Sequence, residues 1–262
     1  MGTSLEGIKA VFLDLDGTIY LGGKLIDGAL EFLDRCDEQG VQRFFLSNNS
    51  SRSVEQYVKK LEKMGIPATA DDVLLSTHDC IAWLKQQNIT QTYCVGTEGM
   101  CQMLEDEGIS TRSQEPQYVV LGYDTETTYE RLETASLHLH AGVPLMASHP
   151  DMVCPSPDGG LPDVGAFLAL FKATTGVEPT HISGKPNAGM ILHKIEELGL
   201  RPEECAMVGD RLYTDIAMAN RAKCLGILVL SGEATQDDVD ALPEGAEQQP
   251  SLTVPSVDTL LR

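Results

Sequence analysis

Two carboxylates one residue apart, Asp14 and Asp16 in Asp14-Leu15-Asp16-Gly17-Thr18, are the first place where this sequence could do chemistry. They follow an apolar run at 10–13 that is too short for a helix and rich in strand formers, so a strand is predicted with both acids at its C-terminal tip. In an open parallel sheet, ligands bind beyond the carboxyl ends of the strands. Strand alternation alone would aim the two side chains apart, but Gly17 makes a turn easy, and a turn can re-aim the second. Two neighbouring carboxylates repel and raise one another's pKa, whereas a hard cation such as Mg2+ binds oxygen ligands and lets the pair coexist. An Asp-x-Asp after a strand also serves as a plain turn, so the weight falls on its company.

Three further polar loops supply that company: Ser47-Asn48-Asn49, Gly184-Lys185-Pro186-Asn187, and Gly209-Asp210-Arg211-Leu212-Tyr213-Thr214-Asp215. Each is expected to close a strand or open a helix. Together they bring a hydroxyl donor, an ammonium near a helix N-terminus and two more carboxylates.

The elements that must position these loops alternate between short apolar runs and amphipathic stretches, the pattern of βα units on a mainly parallel sheet. Strands are predicted at 41–46, 73–75, 92–95, 118–122, 144–148, 205–208 and 226–230. Helical spacing is read after Gly28 up to Gly40, and from Val54 to Met64, the latter opened by Ser53 with Gln56 three residues on. Further helices are predicted at 81–87, 100–107, 129–140, 165–174, 187–198 and 213–220. The stretch 78–182 has an alternation of its own, and at about a hundred residues it can hold a core. The expected organisation is therefore an α/β core domain of residues 1–77 and 183–262, interrupted by an inserted α/β domain of residues 78–182.

Composition bounds the function. With 42% hydrophobic residues among 262, the chain is an ordinary globular protein. No apolar run approaches the length needed to span a bilayer, and residues 1–9 lack the basic start and apolar stretch of a secretory signal, so a cytoplasmic location is expected. The seven cysteines include no CxxC pair and read as buried free thiols. Lys and Arg number 19 against 39 Asp and Glu, a formal charge of −20 that disfavours nucleic acid and anionic membranes. A phosphate substrate is repelled too, so an anion site here needs a metal ion, a few lysines or backbone N–H groups. No G-x-G-x-x-G follows the first strand and no G-x-x-x-x-G-K-[ST] occurs, which sets a nucleotide-binding α/β protein aside.

The four loops in this order, DLDGT, LSNNS, GKPN and GDRLYTD, resemble the haloacid dehalogenase superfamily. They look most like its NagD and p-nitrophenylphosphatase branch, which carries a class IIA α/β cap on a Rossmann-like parallel-sheet core. The cap strings Leu121-Gly122-Tyr123-Asp124 and Ser148-His149-Pro150-Asp151 are similar to that branch as well.

The resemblance implies a Mg2+-dependent phosphatase that hydrolyses small phosphomonoesters through an aspartyl-phosphate, with Asp14 as nucleophile and Asp16 as general acid/base. Mg2+ would be held by the Asp14 carboxylate, the Asp16 backbone carbonyl and Asp210, with Asp215 behind. Ser47 and Lys185, with Asn48 beside Ser47, would hold phosphoryl oxygens. Asp16 itself separates the chemistries, because relatives that cleave carbon–halogen bonds lack a carboxylate there and phosphorylating ATPases carry Thr. A phosphomutase or phosphotransferase on the same scaffold, and a catalytically silent binding protein, are the alternatives.

The expected partner is a small phosphorylated metabolite such as a sugar phosphate, phosphoglycolate, pyridoxal phosphate or a nucleotide-like ester, with a homodimer left open. Substrate choice is expected in cap loops, with Tyr123, Asp124, His149 and Asp151 as candidates. Asp163 stands where many relatives have glycine, so specificity does not carry over. His138 and His140 point about 200° apart on a helix and read as ordinary histidines rather than a metal pair.

Overall fold

The computed structural model describes residues 5–154 and 159–260; of the nine N-terminal residues read above, the first four lie outside it. In chain order the elements are β1 (Ala10–Asp14), β2 (Tyr20–Leu21), β3 (Lys24–Leu25), α1 (Ala29–Glu38), β4 (Gln42–Ser47), α2 (Val54–Lys63), β5 (Val73–Leu75) and α3 (Ser76–Gln86). There follow β6 (Thr92–Val95), α4 (Glu98–Asp106), β7 (Tyr118–Leu121), α5 (Tyr129–His140), β8 (Leu145–Ala147), β9 (Val153–Cys154), β10 (Leu161–Pro162), α6 (Val164–Thr175) and β11 (Pro179–Ile182). The chain ends with α7 (Gly189–Glu197), β12 (Cys205–Gly209), α8 (Ala217–Ala222), β13 (Leu225–Val229), α9 (Gln236–Asp240) and β14 (Leu252–Val254). The fold is α/β.

The described residues form two compact units. The first comprises residues 5–47, 57–74 and 185–260, and the second residues 48–56 and 75–184. The second therefore includes 48–56, a segment that the division read from the sequence left with the core.

The first unit is organised by a sheet of strand order β14-β13-β12-β1-β4-β5. β1 lies between β4 and β12 and runs parallel to both. The chain moves from β1 to one neighbour through α1 and reaches the other only after the whole second unit, so the strand order reverses at β1. The tip of β1 is thus the place where a crevice forms in such sheets. Phe12, Phe44, Leu46 and Met207 cover one face and pack against Met190, Ile191 and Ile195 of α7 and Met218 and Ala219 of α8. Each large side chain so buried contributes on the order of 2 kcal/mol.

The second unit has a four-stranded parallel sheet of order β11-β8-β7-β6. Strand alternation sends Cys94, Val120 and Met146 to a layer with α3 and α4, and Tyr93, Val95, Val119, Leu121 and Leu145 to a layer with α5 and α6. All seven cysteines are free, and all but half-buried Cys154 are buried. His138 packs its ring against Tyr93, as an ordinary packed histidine does.

The Ser53 cap forms as read, Ser53 N–H donating to Gln56 Oε1 at 2.9 Å and Gln56 N–H to Ser53 Oγ at 3.4 Å. Several elements differ from the sequence expectation. α3 begins at Ser76, because the buried Ser76 hydroxyl donates to the Asn48 carbonyl and so belongs inside the fold. β11, β14 and the short hairpin strands carry too little apolar pattern to be foreseen. The helix expected over 213–220 is a π-helical turn, Leu212–Ile216, followed by the shorter α8. Among the described residues no helix is long and apolar enough to cross a membrane.

Candidate active site

β1 delivers Asp14 at its last residue, where its register partner on β4 is Leu46. The chain then turns on Gly17, at φ +89°, with Gly17 N–H donating to the Tyr20 carbonyl at 2.7 Å. A Cβ on Gly17 would also collide with the Asp210 carboxylate, so only glycine lets the Asp16 turn close on the strand carrying Asp210. This is the re-aiming that the sequence required, and it leaves Asp16 exposed beside half-buried Asp14.

β12 delivers Asp210 one residue beyond its end, 3% exposed. Its Oδ2 accepts from the Glu233 N–H at 2.7 Å, while its buried Oδ1 has no hydrogen-bond partner. The π-helical turn that follows swings Asp215 back under β12. Asp215 is fully buried, its Oδ2 accepts from Arg211 N–H at 3.1 Å, and a Cβ on Gly209 would collide with its carboxylate. π-helical turns of this kind often mark functional sites.

Lys185 joins the group from the segment before α7. It is 4% exposed, and its Nζ donates to Asp14 Oδ1 and, at 2.7 Å, to Asp215 Oδ1. Burial alone would lower its pKa, but Asp14 and Asp215 hold it above the ordinary lysine value. One ammonium thus meets two of the three clustered carboxylates, and Asp210 lies beside the pair.

The imbalance is visible in the acids. Burial, then Asp14 and Asp215, push the Asp210 carboxyl up to about 8. Burial and Asp14 raise Asp215 to about 6 against the pull of Lys185. Asp16 is raised by partial desolvation and Asp14, against Lys60 and Arg211. Asp14, Asp210 and Asp215 each offer a carboxylate oxygen within 4.8 Å of the others. An all-oxygen donor set, crowded negative charge and an orphaned buried carboxylate oxygen on Asp210 fit a hard divalent cation.

Ser47 ends β4, with its hydroxyl 2.9 Å from that of Tyr57. The structure thus brings Asp14, Asp210, Asp215 and Lys185 into direct contact or metal-ligand range, and sets Asp16 and Ser47 on strand ends flanking them.

The remaining candidates lie in the second unit. Asn48 is buried there, its Nδ2 donating to Asp151 Oδ2 at 3.2 Å. Asp124 is buried and paired with Arg131 at 3.1 Å, and it accepts from Glu126 N–H at 2.9 Å. Tyr123 is buried, its phenol pKa raised by desolvation and by the Cys154 thiol. His149 is fully enclosed between the Ser148 hydroxyl and Asp163, both at 2.9 Å. Asp163 also caps α6 by accepting from Val164 N–H at 2.7 Å. Asp163 thus does two jobs that a residue without a side-chain acceptor could not do. Tyr57 and the His149–Asp163 pair escaped the sequence reading as partners because nothing local marks them.

The haloacid dehalogenase-like hydrolase model matches residues 11–110, and a HAD-hydrolase-like model matches residues 182–260. The chain is 34% identical to the acid sugar phosphatase of Staphylococcus epidermidis, over 90% of this chain and 92% of that one. Among solved structures it is similar to the 4-nitrophenylphosphatase of Thermotoga maritima, with a TM-score of 0.92 and 37% identity over 99% of this chain and 98% of that one. It is also similar to the glycerol phosphate phosphatase of Mycobacterium tuberculosis in complex with magnesium, with a TM-score of 0.92 and 28% identity over 100% of this chain and 79% of that one. With four carboxylates and a lysine gathered at the strand ends of a parallel sheet, the chain belongs to the haloacid dehalogenase-like hydrolases and is a phosphoric monoester hydrolase of their NagD-like branch.

Proposed function

We propose that the protein hydrolyses small phosphomonoesters with a sugar or polyol leaving group, in a Mg2+-dependent reaction that passes through an aspartyl-phosphate on Asp14. The observation that carries this reading is the clustering of Asp14, Asp210 and Asp215 around Lys185, with the orphaned Asp210 Oδ1 among them.

Asp14 Oδ attacks phosphorus, the bond from phosphorus to the ester oxygen breaks, and Asp16 gives its proton to the departing alkoxide. Asp16 then takes a proton from water, which attacks the phosphorus of the acyl-phosphate and frees Asp14 and inorganic phosphate. The raised Asp16 pKa suits a group that must carry a proton in one step and accept one in the next. Lys185 keeps the Asp14 carboxylate oriented and supplies positive charge for phosphoryl oxygens, to which Ser47 donates. The ion would be held by the Asp14 carboxylate, the Asp16 backbone carbonyl and Asp210, with Asp215 supporting. When bound it neutralises charge on the transferring phosphoryl group.

The leaving-group class is supported by relatives that are a sugar phosphatase and a glycerol phosphate phosphatase. We assign catalysis to residues 1–77 and 183–262 and substrate choice to residues 78–182, with Tyr123, Asp124, His149 and Asp151 as the candidates. Phosphate release from a panel of phosphomonoesters, with Mg2+ and with chelator, tests the reading. Turnover that survives chelation, or equal turnover of every leaving group, would sink it.

A further inference from the structure

In the sequence, Tyr57 is one apolar position of a helix; in the fold, its hydroxyl meets Ser47. The two oxygens lie 2.9 Å apart, with Tyr57 only 3% exposed. Ser47 follows Leu46, the register partner of Asp14, so its side chain stands just past the level of the proposed nucleophile. A serine hydroxyl has one proton and two lone pairs. A Ser47 that donates to Tyr57 has no proton left for a phosphoryl oxygen. A Ser47 that accepts from Tyr57 spends no proton on that contact.

We propose that Tyr57 is a positioning residue, donating to Ser47 Oγ and thereby directing the Ser47 proton to a bound phosphoryl oxygen. This rests on the reading of Ser47 as a phosphate ligand.

The surroundings of the Tyr57 ring support it. Tyr57 and Lys60 share a face of α2, three residues apart. The Lys60 ammonium lies 4.0 Å from the Tyr20 ring centroid and 6.0 Å from that of Tyr57, and it donates to the Tyr20 hydroxyl at 2.8 Å. Tyr20 is 2% exposed, and its carbonyl accepts the Gly17 N–H that closes the Asp16 turn. The α2 helix is therefore pinned at two points. Lys60 ties it to the Asp16–Gly17 turn through Tyr20, and Tyr57 ties it to the end of β4. A ring held this way keeps its hydroxyl oxygen at Ser47.

The test measures kcat/KM for 4-nitrophenyl phosphate and inhibition by inorganic phosphate, at saturating Mg2+, for the parent, Tyr57→Phe, Ser47→Ala and the double variant. Tyr57→Phe is expected to weaken phosphate inhibition and lower kcat/KM about tenfold, the worth of one buried hydrogen bond to a charged group. In the Ser47→Ala background the same change is expected to stay within about twofold. Incorporating 3-fluorotyrosine at position 57, which keeps the ring and strengthens the donor, is expected to tighten phosphate inhibition through the cooperative hydroxyl chain.

A Tyr57→Phe enzyme equal to the parent, or equally impaired with and without the Ser47 hydroxyl, overturns the proposal. Should Tyr57→Phe fail to fold, unchanged phosphate inhibition in the fluorotyrosine enzyme overturns it instead. If Ser47→Ala alone leaves phosphate inhibition untouched, it is the phosphate-ligand reading that fails, and this proposal with it.

Discussion

Two buried polar clusters, one in each unit, are built on opposite principles. In the second unit the Tyr123 N–H donates to Ser50 Oγ at 2.9 Å, Ser50 meets Ser148 at 3.0 Å, and Ser148 meets His149 Nδ1 at 2.9 Å. His149 Nε2 meets Asp163 at 2.9 Å, and Asp163 caps α6. One donor order satisfies every link: Ser50 to Ser148 to Nδ1, and Nε2–H to Asp163. In the first unit Asp14 and Asp215 share the Lys185 ammonium, a buried oxygen of neighbouring Asp210 has no partner, and two of the acids are driven far above their ordinary pKa. A closed chain of this kind stabilises one conformation. An unbalanced cluster costs stability and is kept for what it binds and does.

The comparison breaks if the two clusters respond alike to substitution. Asp14→Asn is expected to lower kcat by at least about 10³-fold, since it removes the proposed nucleophile, while leaving the denaturant midpoint near the parent's. Single-turnover phosphate release and urea unfolding measure the two halves of that expectation. Asp163→Ala should do the reverse. It strands the buried His149 nitrogen and removes the α6 cap, costing about 2–4 kcal/mol in urea unfolding. An Asp163→Ala protein as stable as the parent would mean that the closed chain contributes nothing.

Smaller effects sharpen the contrast through pH and metal. Asp210 and Asp215 bind protons more tightly folded than unfolded, so between about pH 4 and 8 the folded state holds the extra protons. Their contribution to stability is therefore present at low pH and lost as pH rises, through about 6 for Asp215 and about 8 for Asp210. In chelator the melting temperature is expected to fall over that window. Mg2+ should flatten the fall, by about 2.7 kcal/mol at a hundredfold excess over its dissociation constant. Asp210→Asn should flatten it without metal and abolish the response to Mg2+. A parent protein whose melting temperature is the same with Mg2+ as with chelator at pH 8 would argue against the cation site. The smallest effect is at Ser53: Ser53→Ala should cost about 1 kcal/mol through the lost cap and leave kcat unchanged.

Much of the candidate site was legible because its signals are local. Asp14, Ser47 and Asp210 each stand at or just past the end of an apolar run short enough to be a strand, and a parallel sheet collects such ends on one side. Asp16 needed Gly17, two letters away. By contrast, the Tyr57–Ser47 contact joins a helix face to a strand end. The His149–Asp163 pair joins two loops that the sequence separates by a hairpin. Neither leaves a periodic trace. The π-helical turn at Leu212–Ile216 was read as ordinary helix because its residue types suit either, and only the packing of Asp215 beneath Gly209 selects it.

The sequence by itself determined the α/β class and the strand tips that carry the acids, since each follows from residue types within a few positions. Tertiary structure alone decided how Lys185 is shared between Asp14 and Asp215, which carboxylate oxygen is left unpartnered, and that Asp163 both caps a helix and holds a histidine. Those outcomes depend on distances between residues far apart in the chain, and on burial, whose desolvation raises Asp210 and Asp215 ahead of the repulsion between the acids.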